Sequence, residues 1–143
     1  MDASIYTKDE INARFAAGKN CAQNTLTPWA EGLGYDEEEL LRMGAAFAGG
    51  MFRGDTCGAV TGALMALGLA YGDDPAVIAE KTAQFQAAFT ERFGSTICRD
   101  ILGYDLSQPG ALEEARASGA MTEKCSAFVR GASEILTELM ADA

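Results

Sequence analysis

Four cysteines, Cys21, Cys57, Cys98 and Cys125, are the residues of this 143-residue chain best suited to chemistry. Each follows residues that open helices well: Asn20, Asp55-Thr56, Ser95 and Thr122, respectively. A thiol in the first turn of a helix meets unpaired backbone N–H groups and the positive end of the helix dipole, and both favour the thiolate. Thiolates attack disulfides, and they ligate zinc and iron–sulfur clusters. If the four helix starts meet in space, they form a pocket suited to thiolates or to an anionic sulfur-bound cofactor. The cysteines stand far apart in sequence, which excludes the C-x-x-C patterns of zinc ribbons, thioredoxin-like enzymes and ferredoxins.

Residues 49–63 place one of these thiols where a glycine-rich loop becomes a small-residue helix. Asp55 or Thr56 reads as the N-cap, with Cys57 in the first turn. Gly58, Ala59, Gly62 and Ala63 keep that turn thin, so that another backbone or a bound group can approach; Gly58 and Gly62 are the candidate cofactor-contacting glycines. Arg53 near Cys57 and Arg99 beside Cys98 are cations that would lower a thiol pKa. The glycines of 49–54 have the spacing of a phosphate loop, but Asp55 stands where the lysine belongs and would repel phosphate. Arg53-Gly54-Asp55 spells an adhesion tripeptide, which three residues match by chance.

Composition narrows the chemistry further. There is no histidine, which removes the commonest general base, histidine-ligated haem, histidine zinc sites and the two-histidine iron triad. A net charge of −10 opposes nucleic acid and anionic membranes as partners. At 48% hydrophobic content the chain can bury a core without disulfide staples. No basic start and apolar segment marks a secretory signal, so the expected location is the cytoplasm. The longest apolar run, 63–71, is too short to cross a membrane and reads as a buried helix.

The elements that must position the cysteines are all helical. Thr7 with Glu10 forms a capping box, and Tyr6 with Ile11 a hydrophobic staple, for a helix ended by Gly18. A second helix runs over 20–32, with Leu26 and Trp29 inward and a kink at Pro28. Asp36 with Glu39 opens a third, whose Leu40, Met43 and Phe47 repeat toward the core. The helix at 55–71 is apolar nearly all round, as expected of an element surrounded by others. Asp74-Pro75 starts a long helix carrying Ile78, Phe85, Phe89 and Phe93 on one face. A short helix holds Cys98, a polar piece spans 111–118 with Glu113 and Glu114 solvated, and the last helix buries Phe128, Ala132, Ile135 and Leu139. Met43, Met51 and Met65 read as core filler. No stretch alternates like a strand, and no linker divides the chain. The expectation is one all-α domain over 1–143, a compact bundle of about five or six helices around the 55–71 helix. An apolar helical face left over from such a bundle would pair two copies into a homodimer.

Asn20-Cys21-Ala22-Gln23, the run from Gly54 to Ala63, Phe93-Gly94-Ser95-Thr96-Ile97-Cys98-Arg99 and Lys124-Cys125 resemble the four blocks of the C_GCAxxG_C_C family, to which redox activity is ascribed. The resemblance covers nearly the whole domain and implies redox chemistry at Cys21, Cys57, Cys98 and Cys125. Three readings stay open. In the first, the four thiolates ligate an iron–sulfur cluster that carries electrons. In the second, Cys57 attacks a disulfide and Cys98 or Cys125 resolves it, making the chain a thiol/disulfide oxidoreductase. In the third, the cysteines hold zinc or are purely structural. The redox partner, whether a protein or a small-molecule substrate, is unnamed by the sequence.

Overall fold

A computed structural model describes residues 3–143. Among them there is no named strand, and helices account for the architecture. In order these are α1 (Lys8–Ala16), α2 (Cys21–Leu26), α3 (Ala30–Leu33), α4 (Glu37–Gly44), α5 (Gly58–Tyr71), α6 (Pro75–Phe93), α7 (Cys98–Leu102), α8 (Ala111–Ala117) and α9 (Ser126–Leu139). The all-α expectation holds.

Local signals set most of these boundaries. Thr7 accepts the Glu10 N–H while the Glu10 carboxylate accepts the Thr7 N–H, which closes the capping box of α1. Asn20 and Gln23 make the same reciprocal pair at α2. Pro28 sits in the 3-10 turn Thr27–Trp29 that joins α2 to α3, so the expected kink is a local tightening. Asp74 caps α6 through the Ala76 and Val77 N–H groups, with Pro75 at the first helical position.

α5 is the centre of the bundle and packs against α2, α6 and α9. Its Ala59, Val60, Ala63, Ala66 and Leu67 are buried, together with Trp29, Phe85, Phe89, Val129 and Leu136 from its neighbours. Phe85, Phe89, Phe93 and Phe128 form a continuous aromatic run, with Phe93 meeting Phe128 edge-on at 5.1 Å between ring centroids. The stripes expected on α6 and α9 face this core.

Two expectations fail. Met43 is 59% exposed and Met51 37% exposed, so neither fills the core, whereas Met65 packs against it. Within α4 the buried face is set by Leu40 and Gly44, and Met43 falls beside it on the exposed side; the helix then passes into the 3-10 turn Ala45–Phe47. Asp36 caps α4 through the Glu38 N–H rather than through a box with Glu39.

Candidate redox site

The four cysteines are brought together by four separate devices. The first is the contact of α2 with α5. A Cβ built on Gly58 would meet the Ala22 nitrogen and the Cys21 Cβ, each at 2.9 Å, and one on Gly62 would meet the Ala22 carbonyl oxygen. Both glycines are therefore where α2 presses directly on α5, and this contact holds Cys21 beside the start of α5. The body that approaches Gly58 and Gly62 is a backbone.

The second device joins Cys57 to Cys98. Residues 55–57 run antiparallel to 96–98 through a bridge between Thr56 and Ile97. The Cys57 N–H donates to the Thr96 carbonyl at 2.8 Å, and the Cys98 N–H to the Asp55 carbonyl at 2.6 Å. Cys57 lies opposite Thr96, so Cys98 is its diagonal neighbour on the same face, at a Cα separation of about 7–8 Å. Arg99 secures the pairing by donating to the Gly54 carbonyl and to the Asp55 carboxylate, at 3.2 and 3.1 Å.

The third device delivers Cys125. The chain enters α9 through a wide π-type turn, Met121–Cys125, and Cys125 is its last residue. The Lys124 ammonium donates to the Leu102 carbonyl at the end of α7, which draws this turn onto the Cys98 segment. Cys98, Leu102 and Cys125 form one buried group, with Cys21 packed against it. Insertions of this kind recur at functional sites because they redirect a side chain without ending the helix. The fourth device is the Asn20 cap of α2, which leaves Cys21 at the first helical position and also donates to the Gly44 carbonyl.

The helix-start expectation is therefore right for Cys21 and Cys98 and needs correction elsewhere. Cys57 is itself the N-cap of α5, because Asp55 is taken up by Arg99 and Arg53 and Thr56 by the bridge. Cys125 lies past the Thr122 turn, and Thr122 donates back to the Gly119 carbonyl instead of capping. Cys98 opens α7 after Ile97, while Ser95 accepts the Ile97 N–H one turn earlier.

All four thiols are free, and Cys57, Cys98 and Cys125 are only 3%, 7% and 5% exposed; Cys21 is half-buried. Burial pushes the Cys57 thiol up to about 12, against the pull of the Ala59 and Val60 N–H groups. Burial likewise pushes Cys98 up to about 11, with Arg99 opposing. Cys21 is raised by its hydrogen bond to Cys125 and by burial. That same bond, followed by the Lys124 charge, lowers Cys125. Each pair among the four interacts electrostatically, so the thiols lie near one another. Cys57 is thus no low-pKa nucleophile in the thiol form, and Arg53, whose side chain is 79% exposed and turned to Asp55, does not act on it. The cations that do favour thiolates are Arg99 and Lys124; adjacency to a cysteine was the only sequence signal for Lys124.

With this geometry in hand, the chain can be compared with known proteins. Residues 19–139 match the family described as "Putative redox-active protein (C_GCAxxG_C_C)". The chain belongs to the C_GCAxxG_C_C family. All four cysteines fall within the matched residues, as does the Cys-Gly-Ala-x-x-Gly element at 57–62. In this member of the C_GCAxxG_C_C family that element is the thin start of α5 on which α2 rests. No curated protein and no solved structure matches the chain. Among the described residues no helix is long and apolar enough to cross a membrane.

Proposed function

We propose that this chain is an electron-transfer protein whose Cys21, Cys57, Cys98 and Cys125 together hold one iron–sulfur cluster. The observation that carries the reading is that four thiols, supplied by four separate segments, bear on one another electrostatically, with Cys57, Cys98 and Cys125 buried and Cys21 half-buried. Exchange chemistry needs two thiols and an open approach to one of them. Here the chain commits four, and three are closed to solvent.

The donor set suits such a group, since four cysteinates are its usual ligands. Among the described residues no three cysteine or carboxylate side chains are grouped so as to hold a single metal ion. That weighs against mononuclear zinc, whose four sulfurs must crowd one centre, more than against a cluster, whose ligands are spread over several irons. When bound, the cluster supplies one-electron transfer. The protein's own part is to keep water out and to offset negative charge: the Ala59 and Val60 N–H groups face Cys57, Arg99 serves Cys98 and Lys124 serves Cys125. Ligation requires each thiol to lose its proton, so assembly opposes the raised pKa values of Cys57 and Cys98 and is favoured by alkaline conditions.

One observation supports a second reading. Cys21 and Cys125 are the two thiols that shift each other most, and Cys21 borders a cavity. Those two, rather than Cys57, would form the active pair of an exchange enzyme: their oxidation to a disulfide would pass two electrons and two protons to a disulfide substrate, which leaves as two thiols. Purification without oxygen separates the readings. The cluster reading expects a coloured protein with iron and acid-labile sulfide in similar amounts. A colourless, metal-free protein that forms a Cys21–Cys125 disulfide on oxidation would replace it with the second.

A further inference from the structure

Beside the cysteine pocket, the junction of α1, α2, α8 and the 49–54 loop encloses a cavity of about 570 Å³. That is the size of a small-molecule site. Phe15, Phe52, Leu106 and Leu112 give it apolar walls, and Cys21 forms part of its boundary. Its charged lining is Lys19 and Arg116, with no carboxylate, on a chain whose net charge is −10. Neither cation makes a side-chain hydrogen bond or an ion pair among the described residues, although acidic side chains are plentiful.

The wall at Phe52 carries a separate mark of a ligand site. Met51 and Phe52 hold left-handed backbone conformations, with φ of 60° and 58°, which cost energy for residues bearing a Cβ. Phe52 is 64% exposed where it lines the cavity, an aromatic surface with little packed on it.

The geometry points to a binding site for a small organic anion with an apolar body, its charge held by Lys19 and Arg116 and its body covered by Phe15, Phe52 and Leu112. Such a ligand would lie against Cys21. Unpaired cations and exposed apolar walls at one place match the two halves of that ligand, whereas a neutral ligand would gain nothing from the cations and a polar one would leave the walls wet. The site stands on cavity chemistry alone and does not depend on what the cysteines hold.

The test uses 1-anilinonaphthalene-8-sulfonate, an apolar-bodied anion whose fluorescence rises on desolvation, and N-phenyl-1-naphthylamine, the same body without the sulfonate. On the purified full chain, the anion should bind at one site per chain, and about tenfold or more tighter than the neutral analogue. The pair Lys19→Gln and Arg116→Gln should remove that preference while leaving the neutral analogue unaffected. Leu112→Trp, which fills the cavity from the partly exposed α8, should abolish binding of both. Circular dichroism checks that each variant stays folded, and iron measured on the same samples reads the redox reading separately. Equal affinity for anion and neutral analogue, or binding unchanged in Leu112→Trp, would overturn the site.

Discussion

Cys57 shows at the scale of single residues how burial opposes a helix N-terminus. A helix N-terminus favours a thiolate, but at this position burial outweighs it, and the thiol is held well above its ordinary value. The sign of the resulting pH effect follows directly. Cys57 rises from 9.0 to about 12, Cys98 from 9.0 to about 11, and Tyr71, desolvated and donating to Asp142, from 10.0 to about 12. A group raised in the folded state holds its proton more tightly there than in the unfolded chain, so its contribution is full below the unfolded value and is lost as pH climbs to the folded one. The metal-free protein should therefore lose thermal stability progressively from about pH 9 to about pH 12. Cys57→Ala should flatten part of that decline. A Tm that stays level through this range would contradict the burial argument. Cys21 and its Asn20 cap were legible in the sequence because a capping box is a local pattern. The protonation preference of Cys57 was not, because it depends on how much protein surrounds the sulfur.

Between elements, the decisive contact is α2 on α5. Gly62→Ala would drive a methyl group into the Ala22 carbonyl oxygen, and α5 would have to move away. The expected cost is about 1–3 kcal/mol by denaturant unfolding, with loss of the proposed cluster because Cys57 leaves Cys21. Gly68→Ala is the contrasting change on the same helix: no atom lies within 4 Å of its built Cβ, so it should stabilise by about 0.5–1 kcal/mol. Equal effects of the two would mean that the α2–α5 contact is not tight. The glycine spacing announced a close approach at Gly58 and Gly62, and the structure supplies the backbone that makes it. The π-type turn at Met121–Cys125 and the bridge between Thr56 and Ile97 had no local signature, since each arises from tertiary pairing between distant segments. For that reason the sequence placed Cys57 and Cys125 inside the first turns of their helices, whereas each is the N-cap residue of its helix.

Across the described residues, the aromatic and aliphatic core is built mainly from α5, α6 and α9 and includes Cys57, and the smaller group of Cys98, Leu102 and Cys125 joins it through Phe15 and Cys21, which pack against both. Helical periodicity predicted that core well, because burial of one face is written along each helix. The stability of the domain should rest there. Phe89→Ala, which empties the centre of the aromatic run, should cost about 3–5 kcal/mol and lower Tm markedly. Chelation that removes the proposed cluster should leave the helical circular dichroism spectrum nearly unchanged. Collapse of that spectrum on chelation would show that the cysteines, rather than the core, hold the fold together.

The central claim is that four cysteines serve one site, and single substitutions test it most directly. Each of Cys21→Ser, Cys57→Ser, Cys98→Ser and Cys125→Ser would be prepared without oxygen and assayed for iron and acid-labile sulfide per chain against the unaltered protein. A shared cluster predicts that the unaltered chain holds both and that every one of the four variants loses most of both, since each removes one ligand of a common set. Iron retained in full by any two of the variants, or absent from the unaltered chain, would contradict the account.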